Sequence, residues 1–134
     1  YLVGQQVSWS GGDKIIDGFY DNSGAIIQTS ATPQINLNAG SSVAANTGLV
    51  VGTNSIITAI FNGASSALRV NRKTATTGNA GAGNMNGFTL AAAGTPGAYG
   101  NIQVKGAFLF NVAHDTATQN RFITLLANKY GIAT

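Results

Sequence analysis

Short stretches in which apolar and polar residues alternate recur along most of the chain. This two-residue period is typical of β-strands that bury one face. Groups of Gly, Asn, Asp and Ser separate the stretches, and these residues favour tight turns. Strands are predicted over residues 1–9, 13–20, 25–29, 35–38 and 55–62, and around Leu68 and Leu90.

A denser apolar run, residues 107–112, follows the alternating residues 102–105. A strand that is covered on both faces gives a continuous apolar run, whereas a strand with one covered face alternates. We therefore expect residues 107–112 to belong to a central strand of a packed sheet.

One amphipathic helix is predicted after this strand. Asp115 and Thr116 supply N-cap oxygens, and Thr116 with Gln119 fits a capping box, so the helix should begin at Ala117 or within two residues of it. Gly131 is the expected left-handed residue that ends the helix after about three turns. Its apolar face should consist of Phe122, Leu125, Leu126 and Tyr130.

These segments amount to about nine or ten short strands and one terminal helix. The pattern predicts an all-β fold, in which two antiparallel sheets pack as a sandwich with the helix at its C-terminal end. At 134 residues the chain has the length of a single domain, residues 1–134. Strands do not alternate with helices, so a parallel sheet is not expected.

The C-terminal pattern resembles that of concanavalin A-like, or laminin G-like, jelly-roll domains. The resemblance covers roughly residues 49–132, and the matching residues are Phe108-Leu109-Phe110-Asn111, residues 126–132 and residues 56–71. It implies a jelly-roll sandwich of the kind found in bacteriophage virion proteins and in secreted bacterial proteins. Family members often carry a Glu where this chain has Gly106 and a Gly where it has Arg72, so a function that depends on that Glu is not implied.

Charged residues are scarce, with seven Lys or Arg and four Asp in the whole chain and no Glu. The net charge of +3 therefore reflects few acids, and a nucleic-acid partner is not expected because it would need a broader basic face. The one local basic cluster is Arg69, Arg72 and Lys73. It is read either as a solvated hairpin or as a contact with a neighbouring subunit.

The chain contains no Cys, which excludes disulfides and thiolate metal sites. No apolar run approaches the ~20 residues that span a bilayer, so no membrane span is expected. The chain begins at Tyr1 within strand-like sequence and without a signal segment. We expect a processed product or a piece of a longer chain, such as its C-terminal part.

Candidate catalytic and metal-binding side chains are few. Glycoside hydrolysis needs two suitably spaced carboxylates, and the only clustered acids are Asp13, Asp17 and Asp21, which are better explained as turn and solvent-facing residues. Calcium, which takes six to eight oxygen ligands, remains an alternative for these three. His114 is the only His and is expected to face solvent or cap a turn. We expect no enzyme activity and no required cofactor or metal.

Aromatic residues near predicted turns are the remaining candidates for binding. A carbohydrate site needs an exposed aromatic platform and polar partners, and Trp9, Tyr20 and Tyr99 could provide it. The leading expectation is a non-enzymatic virion structural protein of the head or of a tail appendage. It would act through contacts with other virion subunits or with itself, and it could also bind a host glycan. The alternative is a secreted, lectin-like carbohydrate-binding module.

Overall fold

The structure, a computed structural model, describes residues 1–46 and 48–134. Ten strands form two five-stranded antiparallel sheets, and one helix follows them. The strands, in chain order, are β1 (Leu2–Gln6), β2 (Lys14–Asp17), β3 (Ala25–Gln28), β4 (Gln34–Asn38), β5 (Ser42–Asn46), β6 (Ser55–Ile60), β7 (Ser66–Val70), β8 (Thr76–Gly78), β9 (Thr89–Leu90) and β10 (Ile102–Ala107), and the helix is α1 (Thr116–Tyr130).

Strand order within the sheets is β10-β1-β6-β7-β8 in the first sheet and β5-β4-β3-β2-β9 in the second. The inner faces of both sheets share one hydrophobic core, to which the first sheet contributes Leu2, Ile57, Leu68 and Val70 and the second contributes Ile15, Ile26, Ile35 and Leu37. This arrangement confirms the predicted all-β sandwich with a C-terminal helix.

The helix α1 covers the outer face of the first sheet. A second apolar cluster lies there, made of Val3, Ile56, Ile123, Leu126, Ala127 and Ile132. Asp115 is the N-cap and accepts a hydrogen bond from the Thr118 backbone N–H at 2.7 Å, while Gly131 ends the helix with φ 64°. Both ends are where the sequence predicts them.

Two details of the predicted helix need correction. Its buried residues are Gln119, Ile123, Leu126 and Ala127, and Leu125 is largely exposed. The face of α1 that contacts the sheet therefore includes Ile123, whereas the predicted apolar face included Leu125 instead. The helix has 15 residues, or about four turns.

The predicted central strand over residues 107–112 is wrong for most of that run. β10 ends at Ala107, it lies at the edge of its sheet, and the residues after it have no strand assignment. Leu109 is 56% exposed and Phe110 is 49% exposed. An apolar run favours burial, but a strand also needs a neighbouring strand to pair with. This segment has none among the described residues.

Two strands differ from the sequence prediction in other ways. β5 pairs with β4 over five residues although its sequence, Ser-Val-Ala-Ala-Asn, carried too weak a pattern to be predicted. β1 is shorter than the predicted residues 1–9, and its pairing with β10 shifts register between Val3 and Gly4. A Cβ at Gly4 would lie 2.2 Å from the Gln103 carbonyl oxygen, so only glycine fits there.

Candidate functional site

A cavity of about 530 Å³ lies where the sheets meet the segment after β10. Core side chains from both sheets form its floor, and residues 108–114 form one wall. Within the lining no Asp, Glu, Lys or Arg side chain occurs. The lining includes Leu2, Ile16, Ile26, Ile57, Thr58, Ala59, Phe61 and Met85.

A cluster of rings stands on the helix side of this cavity. The Tyr1 ring lies 4.6 Å from the Phe122 ring and contacts the Phe110 ring edge-on at 5.9 Å, measured between ring centroids. Phe108 contacts Phe122 edge-on at 5.4 Å. Edge-to-face contacts of this kind stabilise ring pairs beyond their buried area. The cluster fixes the position of the segment after β10 even though that segment is not part of a strand.

His114 belongs to this ring cluster. Its Nδ1 atom is joined to the Tyr1 hydroxyl by a hydrogen bond of 2.9 Å, and its ring lies 4.4 Å from that of Phe110. Burial raises the pKa of the Tyr1 phenol, and the nearby Arg69 cation opposes this shift. The predicted solvent-facing or turn-capping role of His114 is thus replaced by a contact that links Tyr1 to the start of the helix.

Of the three candidate carbohydrate-binding residues, two are displayed on the surface. Tyr20 is 60% exposed and Tyr99 is 66% exposed, and the Tyr20 ring is held edge-on by the exposed Phe19 ring at 4.8 Å. Trp9 instead packs against the core, and its indole N–H donates to the Thr29 carbonyl at 2.7 Å. Trp9 therefore stabilises the sandwich, and its role in glycan binding stays a prediction.

The basic cluster is divided between the interior and the surface. Arg69 is only 7% exposed, and its guanidinium donates to the Asn120 side chain at 2.6 Å beneath α1. Burial lowers the pKa of Arg69, and the Tyr1 phenol opposes that shift. Arg72 is exposed and donates to the Thr124 hydroxyl. Both arginines thus connect the hairpin to the helix, and the exposed Arg72 and Lys73 are the members accessible to a neighbouring subunit.

Asp17 differs most from its expected place. Its carboxylate is fully buried and accepts hydrogen bonds from the backbone N–H groups of Gly18, Asn22 and Gly94, at 2.8, 3.1 and 3.3 Å. It therefore joins the turn after β2 to the loop after β9. The prediction of a turn or solvent-facing side chain is wrong for Asp17, because a carboxylate can be buried when backbone donors compensate for its lost hydration.

One other acid of this region, Asp21, contacts a lysine. Lys14 is buried, donates to the Asn22 side chain and lies 3.3 Å from the Asp21 carboxylate. Among the described residues no three His, Cys, Asp or Glu side chains are grouped closely enough to hold a metal ion. The hydrogen bonds to Asp17 and Asn22 and the ion pair between Lys14 and Asp21 organise this loop.

Comparison with known proteins gives a plain result. No protein-family model, no curated protein and no solved structure matches this chain. The assignment of function therefore depends on the structure and on the sequence pattern.

Within the described part of the chain, no helix has the length and apolar character required to cross a bilayer.

A Cβ at Gly106 would lie 2.8 Å from the Tyr130 hydroxyl and 3.0 Å from the Phe108 ring. A larger side chain at position 106 would therefore have to displace the hydroxyl end of Tyr130 and the Phe108 ring.

Sequence reasoning missed the cavity and the buried Asp17. The cavity had one signal in the sequence, the apolar run of residues 108–112. Asp17 had a weaker one, since it directly follows Ile15 and Ile16 and precedes Gly18, where a buried strand enters a turn.

Proposed function

We propose that the protein is a non-enzymatic structural subunit of a virion, in the head or in a tail appendage, and that it has the jelly-roll, concanavalin A-like version of the sandwich fold. The observation that carries this proposal is the exposed apolar segment with Leu109, Phe110 and Val112 beside an uncharged cavity. Large exposed apolar patches are typical of protein–protein contacts. Neighbouring virion subunits, or further copies of the chain, are the partners.

The low charge of the surface supports the same function. A contact between subunits loses the hydration of every charge that it buries, and this chain has eleven charged residues, seven Lys or Arg and four Asp, in 134. Of these, Asp17, Lys14 and Arg69 are already buried within the fold. A broad surface with few charges can therefore be covered at small electrostatic cost.

The test measures the copy number of the chain in virus particles that are purified from a culture producing them. Quantitative mass spectrometry should find the chain in a fixed ratio to the major capsid or tail subunit after gradient purification. A chain that stays in the culture supernatant, without a fixed ratio to any particle subunit, would contradict the proposal.

A second candidate function is a secreted, lectin-like carbohydrate-binding module, and the exposure of Tyr20 and Tyr99 favours it. Exposed rings can stack on sugar faces, and Asn22 and Asp21 lie next to Tyr20 as polar partners. A glycan array should then show binding that Tyr20→Ala or Tyr99→Ala abolishes. Trp9→Ala is the contrasting variant, because its effect should appear as lost stability.

A further inference from the structure

Lys14 is a buried lysine whose amine contacts a carboxamide. Only 6% of the residue is exposed. Its backbone N–H donates to the Ala98 carbonyl at 2.9 Å, and its strand β2 pairs with β3, so the start of the side chain has a fixed position within the second sheet. At the far end of the side chain, the Nζ atom donates to the Asn22 side-chain oxygen and lies 3.3 Å from the Asp21 carboxylate.

The turn that carries Asn22 is held in place by its own hydrogen bonds. Asn22 has a left-handed backbone, with φ 59°, and its N–H donates to the buried Asp17 carboxylate at 3.1 Å. The N–H and the hydroxyl of Ser23 both donate to the Tyr20 carbonyl, at 3.1 and 2.6 Å. The fold therefore brings the Asn22 carboxamide to the Lys14 amine and keeps it there.

An ammonium group at Lys14 is poorly satisfied in this position. A lysine ammonium carries three N–H donors, whereas the partners recorded for it in the described chain are the Asn22 oxygen and the Asp21 carboxylate. The Asp21 side chain is itself half exposed, so water weakens its attraction for the cation. Burial of a charge is costly unless the charge is fully paired. A neutral amide, with one N–H and one carbonyl, suits the same position better.

We propose that Lys14 and Asn22 become joined by an isopeptide bond, in which the lysine amine forms an amide with the asparagine side chain. An amine attacks a carbonyl carbon readily when the fold holds the two groups together and a neighbouring base takes its proton. Here the amine already contacts the carbonyl oxygen of the group that it attacks, and Asp21 is the base. The site modifies its own chain.

The reaction conserves atoms, charge and electrons. Asp21 first takes a proton from the Lys14 ammonium. The amine then attacks Cγ of Asn22, so a bond forms between Nζ and Cγ while the carbonyl electrons move onto the oxygen. When the carbonyl forms again, the bond from Cγ to Nδ2 breaks, and a further proton passes from Nζ to Nδ2, which leaves as ammonia. Ammonia takes the proton from Asp21 and departs as ammonium through the partly exposed side of Asn22.

The bond closes a loop that contains most of β2 and the turn after it. Its two ends are eight positions apart in the sequence. A covalent link of this kind restricts the unfolded chain and thereby stabilises the fold. Because the bond forms within a single chain, the proposal is independent of the function proposed above.

The experiment measures the intact mass of the purified natural chain by mass spectrometry, under denaturing conditions and after the chain has folded. The natural chain should weigh less than its sequence mass by one molecule of ammonia. Lys14→Arg and Asn22→Ala each lack one of the two reacting groups and should have their full sequence masses. Lys105→Arg, a change at an exposed lysine, is the matched control and should still lose ammonia.

Peptide mapping locates the bond and separates it from other losses of ammonia. Trypsin cleaves after a free lysine, so the natural chain should resist cleavage after Lys14 and yield one peptide in which residues 14 and 22 are joined. A succinimide ring at an asparagine also loses ammonia, but that loss would remain in Lys14→Arg. Asp21→Asn removes the base, so its unreacted mass should persist for longer after the chain refolds from urea.

Two results would overturn the proposal. The first is a natural chain that keeps its full sequence mass after folding and long incubation at neutral pH. The second is a loss of ammonia that Lys14→Arg retains. The mass of the natural chain is decisive even where a variant fails to fold. Neither result changes the copy number in particles, so the proposed function is judged separately.

Discussion

At the scale of single residues, the buried carboxylate of Asp17 holds together two loops that are far apart in the sequence. Three backbone N–H groups from two separate loops converge on it. Hydrogen bonds to a charged acceptor are stronger than neutral ones, and each donor left unsatisfied in a buried place costs about 1–3 kcal/mol. The positions of the loops after β2 and β9 therefore depend on the two carboxylate oxygens of Asp17.

Asp17→Asn tests this directly. The amide keeps one acceptor oxygen and turns an NH₂ group toward backbone donors, so the free energy of unfolding should fall by about 2–4 kcal/mol. Urea unfolding followed by the fluorescence of Trp9 measures the loss. Asp13→Asn, a change at a partly exposed aspartate four residues earlier, should cost much less, and an equal loss in the two variants would contradict the role given to Asp17.

The residue scale also shows where sequence reasoning reached its limit. The apolar pattern predicts a strand over residues 13–20 that includes Ile15 and Ile16, and both residues are buried in the shorter strand β2. It gives no means to predict that Asp17, the next residue, is buried as well, because the compensating donors come from Gly94, far away in the sequence. Local patterns report local propensity, whereas burial of a polar group depends on partners brought by the fold.

At the scale of elements, the ends of α1 are determined by local chemistry and were predictable. The backbone N–H of Thr118 donates to the Asp115 carboxylate and holds its pKa below the ordinary value of 3.8. The carboxylate therefore binds its proton less readily in the folded chain than in the unfolded one. The stability that this charge contributes is present above the unfolded pKa and is lost as the pH falls through the folded pKa.

Asp115→Asn isolates that contribution, since Asn is an equally good N-cap without the charge. The variant should have a lower unfolding temperature than the natural chain at about pH 6, and the difference should shrink as the pH is lowered through the pKa of Asp115 in the folded chain. Thermal unfolding followed by circular dichroism measures both. A difference that stays constant across this range would show that the charge at the cap contributes nothing.

The contact between the hairpin and the helix is a second property of the element scale. Arg69 is buried under α1, and the Asn120 side chain accepts a hydrogen bond from its guanidinium. Asn120→Ala should leave this cation without that acceptor and lower the free energy of unfolding by about 1–3 kcal/mol. Asn128→Ala, at an exposed position of the same helix, should change it by less than about 0.5 kcal/mol, and equal losses in chemical denaturation would contradict the role of the contact.

At the scale of the whole molecule, the fold class was predictable and the extent of coverage was not. Alternating stretches and turn residues predict a two-sheet sandwich with a terminal helix, and the structure confirms it. The same reasoning made residues 107–112 a central strand. Their pattern indicates a segment built to be covered, and the described chain supplies a ring cluster on one side of it but no strand beside Phe110.

This mismatch is consistent with the central claim of assembly. The exposed side chains of Leu109, Phe110 and Val112 keep apolar surface in contact with water, which is unfavourable. Association with another protein would bury this surface. The second candidate function, glycan binding by Tyr20 and Tyr99, makes no use of this segment. The state of association of the chain in solution therefore separates the two functions.

The most direct measurement is the molar mass of the chain in solution, by light scattering coupled to size exclusion, over a range of concentrations. The account predicts a mass above the 13.6 kDa of one chain that rises with concentration. A folded chain with a mass of 13.6 kDa at every concentration would contradict the claim that its open face is built for protein contacts.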